Sequence, residues 1–180
     1  LLQYRGHVQE SIGCHRRVLA LDPDDLEVRC NLATTLVEAG RGEEALAECD
    51  SALAGAPARP ELLATKGAVL VGLGQYATAV PLLEAALAAG PDDMAFINLG
   101  LAHQQLGQAD AAMAALQAAV RVNPDNARAT ADLIALYSAA GRSAAALGLS
   151  AGFLERHPGE RLVLASRAVA LRDAGQADAA

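Results

Sequence analysis

Apolar side chains between Met94 and Pro124 recur at steps of three and four residues, which predicts two short helices joined by a tight turn. Phe96, Leu99, Ala102, His103 and Leu106 make the first stripe, and Gly107 the turn. Ala112, Ala115, Leu116, Ala119 and Val120 make the second, before Pro124 stops the chain. Neither helix can bury its stripe alone, so each must close on the other and on a neighbour. The same pattern runs along the whole chain. Gly6, Gly40, Gly74, Gly107, Gly141 and Gly175 stand about 34 residues apart, and Pro23, Pro57, Pro91, Pro124 and Pro158 fall midway between them. Small residues follow each glycine at one fixed distance, at Ser11, Ala45, Ala79, Ala112, Ala146 and Ala180, where two helices must approach closely. Such a period means a solenoid, because a single helical hairpin has too little core and must stack on the next.

The period predicts an all-α, right-handed α-solenoid of antiparallel helix pairs, forming a single array over residues 1–180. Complete repeats fall at 26–59, 60–92, 93–126 and 127–160, with partial repeats at 1–25 and 161–180. In the first of these, Leu1 to Tyr4 read as the end of one helix, Gly6 as a turn and His7 to Leu21 as a second helix. In the first complete repeat, helix A runs from about Leu26 to Ala39, behind Asp24 and Asp25, whose carboxylates suit a helix N-terminus. Helix B follows from about Gly42 to Ala54. Pro60 is well placed at a first helical position. Pro81 lies deeper in a helix B, where its missing amide should delay that helix or bend it near Ala77.

The chain opens and closes in mid-repeat and lacks an initial Met, as a fragment would. Bare stacking faces are therefore expected at its ends. Leu1, Leu2, Val163, Leu164, Ala168 and Leu171 are expected near contacts with a neighbouring copy or with further protein.

These residues resemble the tetratricopeptide repeat family. The family's hairpin has a Leu-Gly pair in helix A, a turn glycine, an early and a later alanine in helix B, and a closing proline. Leu99, Gly100, Gly107, Ala112, Ala119 and Pro124 match all of them. The place of Gly100 is taken by Gly67 in the repeat before, and by Ala33, Ile134 and Ala168 elsewhere. The resemblance implies a superhelix whose A helices line a concave groove that binds protein or peptide partners.

Composition sharpens this picture. Hydrophobic residues make up 53% of the chain and aromatic residues 3%, so the core is alanine-rich and suited to close-packed helices. Every apolar run is interrupted short of the roughly 18 to 20 residues a membrane span needs. A net charge of −7 and a pI near 5.0 argue against nucleic acid, which wants a basic face. Cys14, Cys30 and Cys49 form no C-x-x-C pair, and with no signal peptide in evidence they fit reduced thiols in the cytoplasm. Cys14 and Cys49 read as small hydrophobes of helix B. His7, His15, His103 and His157 fall in unrelated places, with no metal-ligand spacing, and His103 takes the place of a packed core residue. No nucleotide-binding or metalloprotease motif occurs, so no catalytic residue, metal or cofactor is expected.

In the family, the groove is lined by the second, fifth, sixth, ninth, twelfth and thirteenth residues of each repeat. The sixth residues here are Asn31, Thr65, Asn98, Asp132 and Ser166, all polar in a chain dominated by Ala and Leu. A side-chain amide both donates and accepts, so a row of amides can hold an extended peptide by its main chain. This is similar to the asparagine ladder in the repeat domains of O-linked N-acetylglucosamine transferases, matched here at Asn31 and Asn98. Thr34, Leu101, Gln104 and Gln105 complete the expected groove. The family's carboxylate clamp needs a cation at the fifth or ninth place. Cys30, Ala64, Ile97, Ala131 and Ala165 stand at the fifth, and Thr34, Ala68, Leu101, Ala135 and Val169 at the ninth, so the clamp is absent. Two functions follow: a protein-interaction scaffold, or the targeting arm of a larger enzyme such as a glycosyltransferase or an iron and 2-oxoglutarate oxygenase.

Overall fold

The computed structural model describes residues 2–177, with side chains described from 7 to 175. All regular structure among the described residues is helical: α1 (Leu2–Leu21), α2 (Leu26–Glu38), α3 (Gly42–Gly55), α4 (Pro60–Gly72), α5 (Tyr76–Ala89), α6 (Asp93–Gln105), α7 (Ala109–Val122), α8 (Ala127–Ala139), α9 (Ser143–Arg156) and α10 (Arg161–Ala177). They fall into two compact units, Leu1–Gly90 and Pro91–Ala180. In the first, α2 packs on α3, α4 on α5, and α2 on α4; in the second, α6 packs on α7, α8 on α9, and α10 on both α8 and α9.

Local chemistry explains where the A helices start and stop. The Asp25 carboxylate accepts the Val28 N–H at 3.0 Å, Asp92 accepts Ala95 N–H at 2.7 Å, and the Asn126 side-chain oxygen accepts Ala129 N–H at 3.0 Å. Each satisfies a donor that has no partner inside its helix. At the other end Gly40, Gly74, Gly107 and Gly141 take φ values of 73°, 75°, 75° and 69°, a conformation that only a residue without Cβ enters freely. The next residue then reaches back, Arg41 N–H to Leu36 O and Arg142 N–H to Tyr137 O, both at 2.8 Å. This closes each helix and reverses the chain.

The outer glycines of the series behave differently. α1 runs straight through Gly6 and α10 through Gly175, so each partial repeat, at 1–25 and at 161–180, begins or ends as one continuous helix instead of a hairpin. The hexapeptide Gly-Gln-Ala-Asp-Ala-Ala occurs at both 107–112 and 175–180, yet its glycine turns at Gly107 and stays helical at Gly175. A left-handed turn is stabilised only when the helix after it docks on the helix before it. Among the described residues no second helix docks beside Gly6 or Gly175, and both stay helical despite a cost of about 1 kcal/mol for glycine against alanine. Ala180, Leu1 and the side chain of Leu2 lie outside the described residues.

Pro81 does not delay its helix. α5 begins at Tyr76, two residues after the turn glycine like α3, α7 and α9, with Ala79 N–H bonded to Gln75 O at 3.1 Å. Ala77, whose carbonyl loses its partner, and Pro81 itself are both exposed, so water can satisfy the orphaned oxygen.

The core depends on small residues. Ala45, Ala79, Ala112 and Ala146 are wholly buried, and they sit where a helix B crosses its helix A. Around them the first unit gathers Val8, Ile12, Leu32, Leu36, Cys49 and Val69, and the second gathers Met113, Leu116, Leu133, Ile134, Phe153 and Val163. Each fully buried Leu or Ile removes enough apolar surface from water to contribute about 1.5–3 kcal/mol. Val163, expected at an uncovered end, is thus a core residue because α10 packs it inward against α8 and α9. Leu164 and Leu171, about a quarter-turn round α10 from Val163, are exposed, 44% and 51%.

Two glycines expose the constraint. A Cβ on Gly67 would lie 2.7 Å from Leu83 Cγ, and one on Gly100 would lie 2.9 Å from Leu116 Cγ. Gly13, on the exposed side of α1, would meet nothing. Gly67→Ala should therefore destabilise the protein by about 1–2 kcal/mol, overpacking outweighing the gain in helix propensity. Gly13→Ala should stabilise it by about 0.5–1 kcal/mol. Urea unfolding of both variants checks the opposite signs; equal effects would mean that Leu83 yields freely.

Candidate functional site

Each helix A packs one side on its neighbours and leaves a strip open. In α6, Leu99 and Ala102 are buried, whereas Asn98 and Leu101 are half-buried and Met94 and Gln105 are exposed. The open strip carries the polar sixth residue of every repeat. In the first unit, Asn31 and Thr34 are exposed on α2, and Thr65 is half-buried on α4. The structure brings Thr65 beside Cys30 of α2: burial pushes the Cys30 thiol up, with the Thr65 hydroxyl opposing and the Glu61 carboxylate adding to the rise. In the second unit, Asp132 is half-buried on α8, and Ser166 on α10.

The hydrogen bonds divide the five sixth residues. Thr65 donates to Glu61 O at 2.8 Å and Ser166 to Leu162 O at 3.2 Å, each spending its hydroxyl on its own helix. Asp132 accepts the Arg128 guanidinium at 2.9 Å. Thr34, at a ninth place, likewise donates to Cys30 O at 3.1 Å. Asn31 and Asn98 alone among the five make no side-chain hydrogen bond to another described residue, so their amides are available to a ligand. Met94, Leu162 and Val169, exposed by 55%, 44% and 43%, lie on the same strips. Val169 was counted at a ninth place, but Met94 and Leu162 were not named among the groove residues expected from the sequence. Their signal was the appearance of large apolar side chains at the second and ninth places, where solubility favours polar ones.

His103 is only half-buried, its Nδ1 2.6 Å from Gln108 Oε1 across the turn, because the short α6–α7 connection brings a polar partner to a place expected to be core. Burial pushes the Cys49 thiol up to about 12, as for a small hydrophobe, whereas Cys14 is exposed on the outer side of α1. Among the described residues no three His, Cys, Asp or Glu side chains gather where they could hold a metal ion. Among those residues, too, no helix is long and apolar enough to cross a membrane.

Two ties hold the second unit's helices in place. Asp93, at the start of α6, accepts Nδ2 of both Asn123 and Asn126 at 2.8 Å, fastening α6 to the α7–α8 connection. Asp125, in that connection, meets His157 Nε2 at 2.9 Å and Arg156 Nε at 3.3 Å, at the end of α9. The Asn126 amide first, with Asn123, holds the Asp93 carboxyl below the usual carboxylate range, and the His157 hydrogen bond does the same to Asp125. A carboxyl whose folded value is depressed contributes its stability in full above its unfolded value, about pH 4, and loses it as pH falls through the folded value. Asp93→Asn should therefore lower the melting temperature at pH 7 and flatten the decline of stability between about pH 4 and pH 2. Thermal melts across that range decide; an unchanged acid limb would mean that Asp93 is not linked to folding.

Comparison with known proteins supplies the context. Two family models described as tetratricopeptide repeat match the chain, one over residues 65–127 and 97–151, the other over 5–69. Protein FlbA of Caulobacter vibrioides is 36% identical over 100 residues, which take in 55% of this chain but 17% of that protein. Three solved structures are similar over most of their length. A thermophilic tetratricopeptide repeat protein of Thermus thermophilus has a TM-score of 0.78 at 25% identity, covering 94% of this chain and 93% of its own. MamA of Desulfovibrio magneticus RS-1 has a TM-score of 0.70 at 26% identity, covering 88% and 90%. YrrB, described as having an unusual peptide-binding site, has a TM-score of 0.66 at 26% identity, covering 87% and 81%.

Proposed function

The chain belongs to the tetratricopeptide repeat family of protein-interaction scaffolds, and from that premise we propose that it holds an extended segment of a partner protein on the open strips of its A helices. The reading is carried by Asn31 and Asn98, the two sixth residues whose amides find no partner among the described residues. A peptide in extended conformation presents main-chain N–H and C=O groups that such amides can pair, one donating and accepting at each site. YrrB, whose structure is described as carrying a peptide-binding site, shares the fold at 26% identity.

Magnitudes limit what the amides do alone. Each hydrogen bond adds a net of about 0.5–1.5 kcal/mol, so two give roughly five- to 150-fold in affinity. Apolar contact must supply the rest. Leu101 and Gln105 lie one and two helical turns beyond Asn98 on the same strip of α6 and extend its contact. Thr34 lies one turn beyond Asn31 on α2, while Thr65 and Asp132, already tied within the chain, shape the surface more than they bond across it.

A second reading, in which the repeats target a larger enzyme such as a glycosyltransferase or an iron and 2-oxoglutarate oxygenase, has as its only support that a similar stretch in FlbA is 17% of a longer protein. Reading the gene on both sides of these residues tests it: an iron-binding triad or a nucleotide-sugar fold encoded there supports the enzyme arm, and neither leaves the scaffold.

Asn98→Ala should weaken binding of main-chain-held peptides about fivefold, close to 1 kcal/mol, and by a similar factor for peptides of different sequence. Because the Asn98 amide bonds to no other described residue, the melting temperature should hardly move. Titrating peptides selected from a random display library, alongside thermal melts, distinguishes the outcomes. A large loss of stability with unchanged affinity would make Asn98 a structural residue and end the ladder reading.

A further inference from the structure

The chain's own repeats show which exposed apolar residues belong to the fold and which to an uncovered end. Leu164 and Leu171 occupy the fourth and eleventh places of α10. In α2, α4, α6 and α8 the same places are buried or half-buried, so their exposure is particular to α10. Leu162 and Val169 occupy the second and ninth places. Every A helix leaves those two places exposed or partly so, including α2 and α8, which pack on helices both before and after them. Their exposure is a constant of the architecture.

What fills these constant openings differs between the two units. In the first they hold Glu27, Thr34, Glu61 and Ala68. In the second, on α6 and α10, they hold Met94, Leu101, Leu162 and Val169, with Arg128 and Ala135 on α8. Each apolar pair is separated by seven residues, about 10 Å along one side of its helix. Large apolar side chains gathered on a surface that any soluble repeat could fill with polar ones mark an interaction site.

Charge selects the kind of partner. The charged residues on the second unit's strips neutralise one another, Arg128 with Asp132 at 2.9 Å and Arg172 with Asp173 at 2.8 Å. The surface therefore offers no free charge to attract an acidic or a basic segment. In the first unit Glu27, Glu38 and Glu61 form no ion pair with another described residue, so a basic peptide would be drawn there instead. Asn98, half-buried beside Leu101 with its amide unpaired, needs a main-chain group from the ligand; a helical ligand would have its own main chain already paired.

We infer that the second unit binds an extended, uncharged peptide segment with bulky apolar side chains, which pack on Met94, Leu101, Leu162 and Val169 while Asn98 pairs with its main chain. This rests on the groove reading above and adds the chemistry of the partner to it.

A phage-displayed library of random dodecapeptides, selected on the immobilised chain, tests both levels. The expected result is enrichment of Leu-, Ile- and Phe-rich sequences poor in Lys, Arg, Asp and Glu. Their affinity, read by fluorescence polarisation, should drop about tenfold or more in a Leu162→Glu/Val169→Glu double variant and stay unchanged in Glu27→Gln/Glu61→Gln. Both pairs are exposed, and circular dichroism confirms that the variants keep their helices. Enrichment of Lys- and Arg-rich peptides, lost on changing Glu27 and Glu61, would overturn the apolar inference and leave the groove reading standing. Peptides indifferent to both pairs and to Asn98→Ala, or no enrichment over bare support, would overturn both.

Discussion

Everything in this fold depends on how closely a helix B can approach its helix A. At two pairs the approach is set by a leucine seated over a glycine, Leu83 over Gly67 and Leu116 over Gly100, with no room for even one more carbon. Alanines buried at Ala45, Ala79, Ala112 and Ala146 serve the crossing from the other side. Such seams need small side chains, which is why a chain that is 53% hydrophobic makes do with 3% aromatic residues. The same seam generates the functional surface. A helix A pressed against its helix B on one side must present another side to solvent, and the second, sixth and ninth residues ride on it.

Much of this was legible in the sequence because it is enforced locally. Gly40, Gly74, Gly107 and Gly141 are glycines since the turn needs positive φ, and a fixed geometric need leaves a fixed residue at a fixed spacing. Gly6 and Gly175 fit the same series yet lie inside α1 and α10, so the spacing of a glycine does not by itself make a turn. Pro81 does not delay α5, since its cost falls on the exposed Ala77 carbonyl, where water can satisfy it. His103 looked like a core residue from its stripe, and Gln108, five residues later and beyond the turn, was not counted among its neighbours.

The site was legible in its placement and less so in its chemistry. Counting along helix A found Asn31 and Asn98, but which polar residues stay free depends on bonds to carbonyls or to a neighbouring turn, as Thr65, Ser166 and Asp132 show. Met94 and Leu162 were overlooked because apolar residues in a helical pattern are read as core by default. Only the burial of the equivalent places throughout the chain separates a core leucine from one left in the open. The ties to Asp93 were beyond sequence reasoning altogether, since Asn123 and Asn126 lie about thirty residues away and meet it only once α7 has folded.

Asn126 merits one more step. Its side-chain oxygen caps α8 while its nitrogen grips Asp93 at the head of α6, so a single planar amide serves two helices at once. Neither bond can be kept if the amide rotates to favour the other. Fraying at the start of α6 and fraying at the start of α8 thus become one event, and the amide protons at both ends should exchange with solvent through a common opening. A chain whose contacts are mostly between neighbours would otherwise be free to melt piecemeal from any point; here a side chain of four heavy atoms makes two hairpins breathe together.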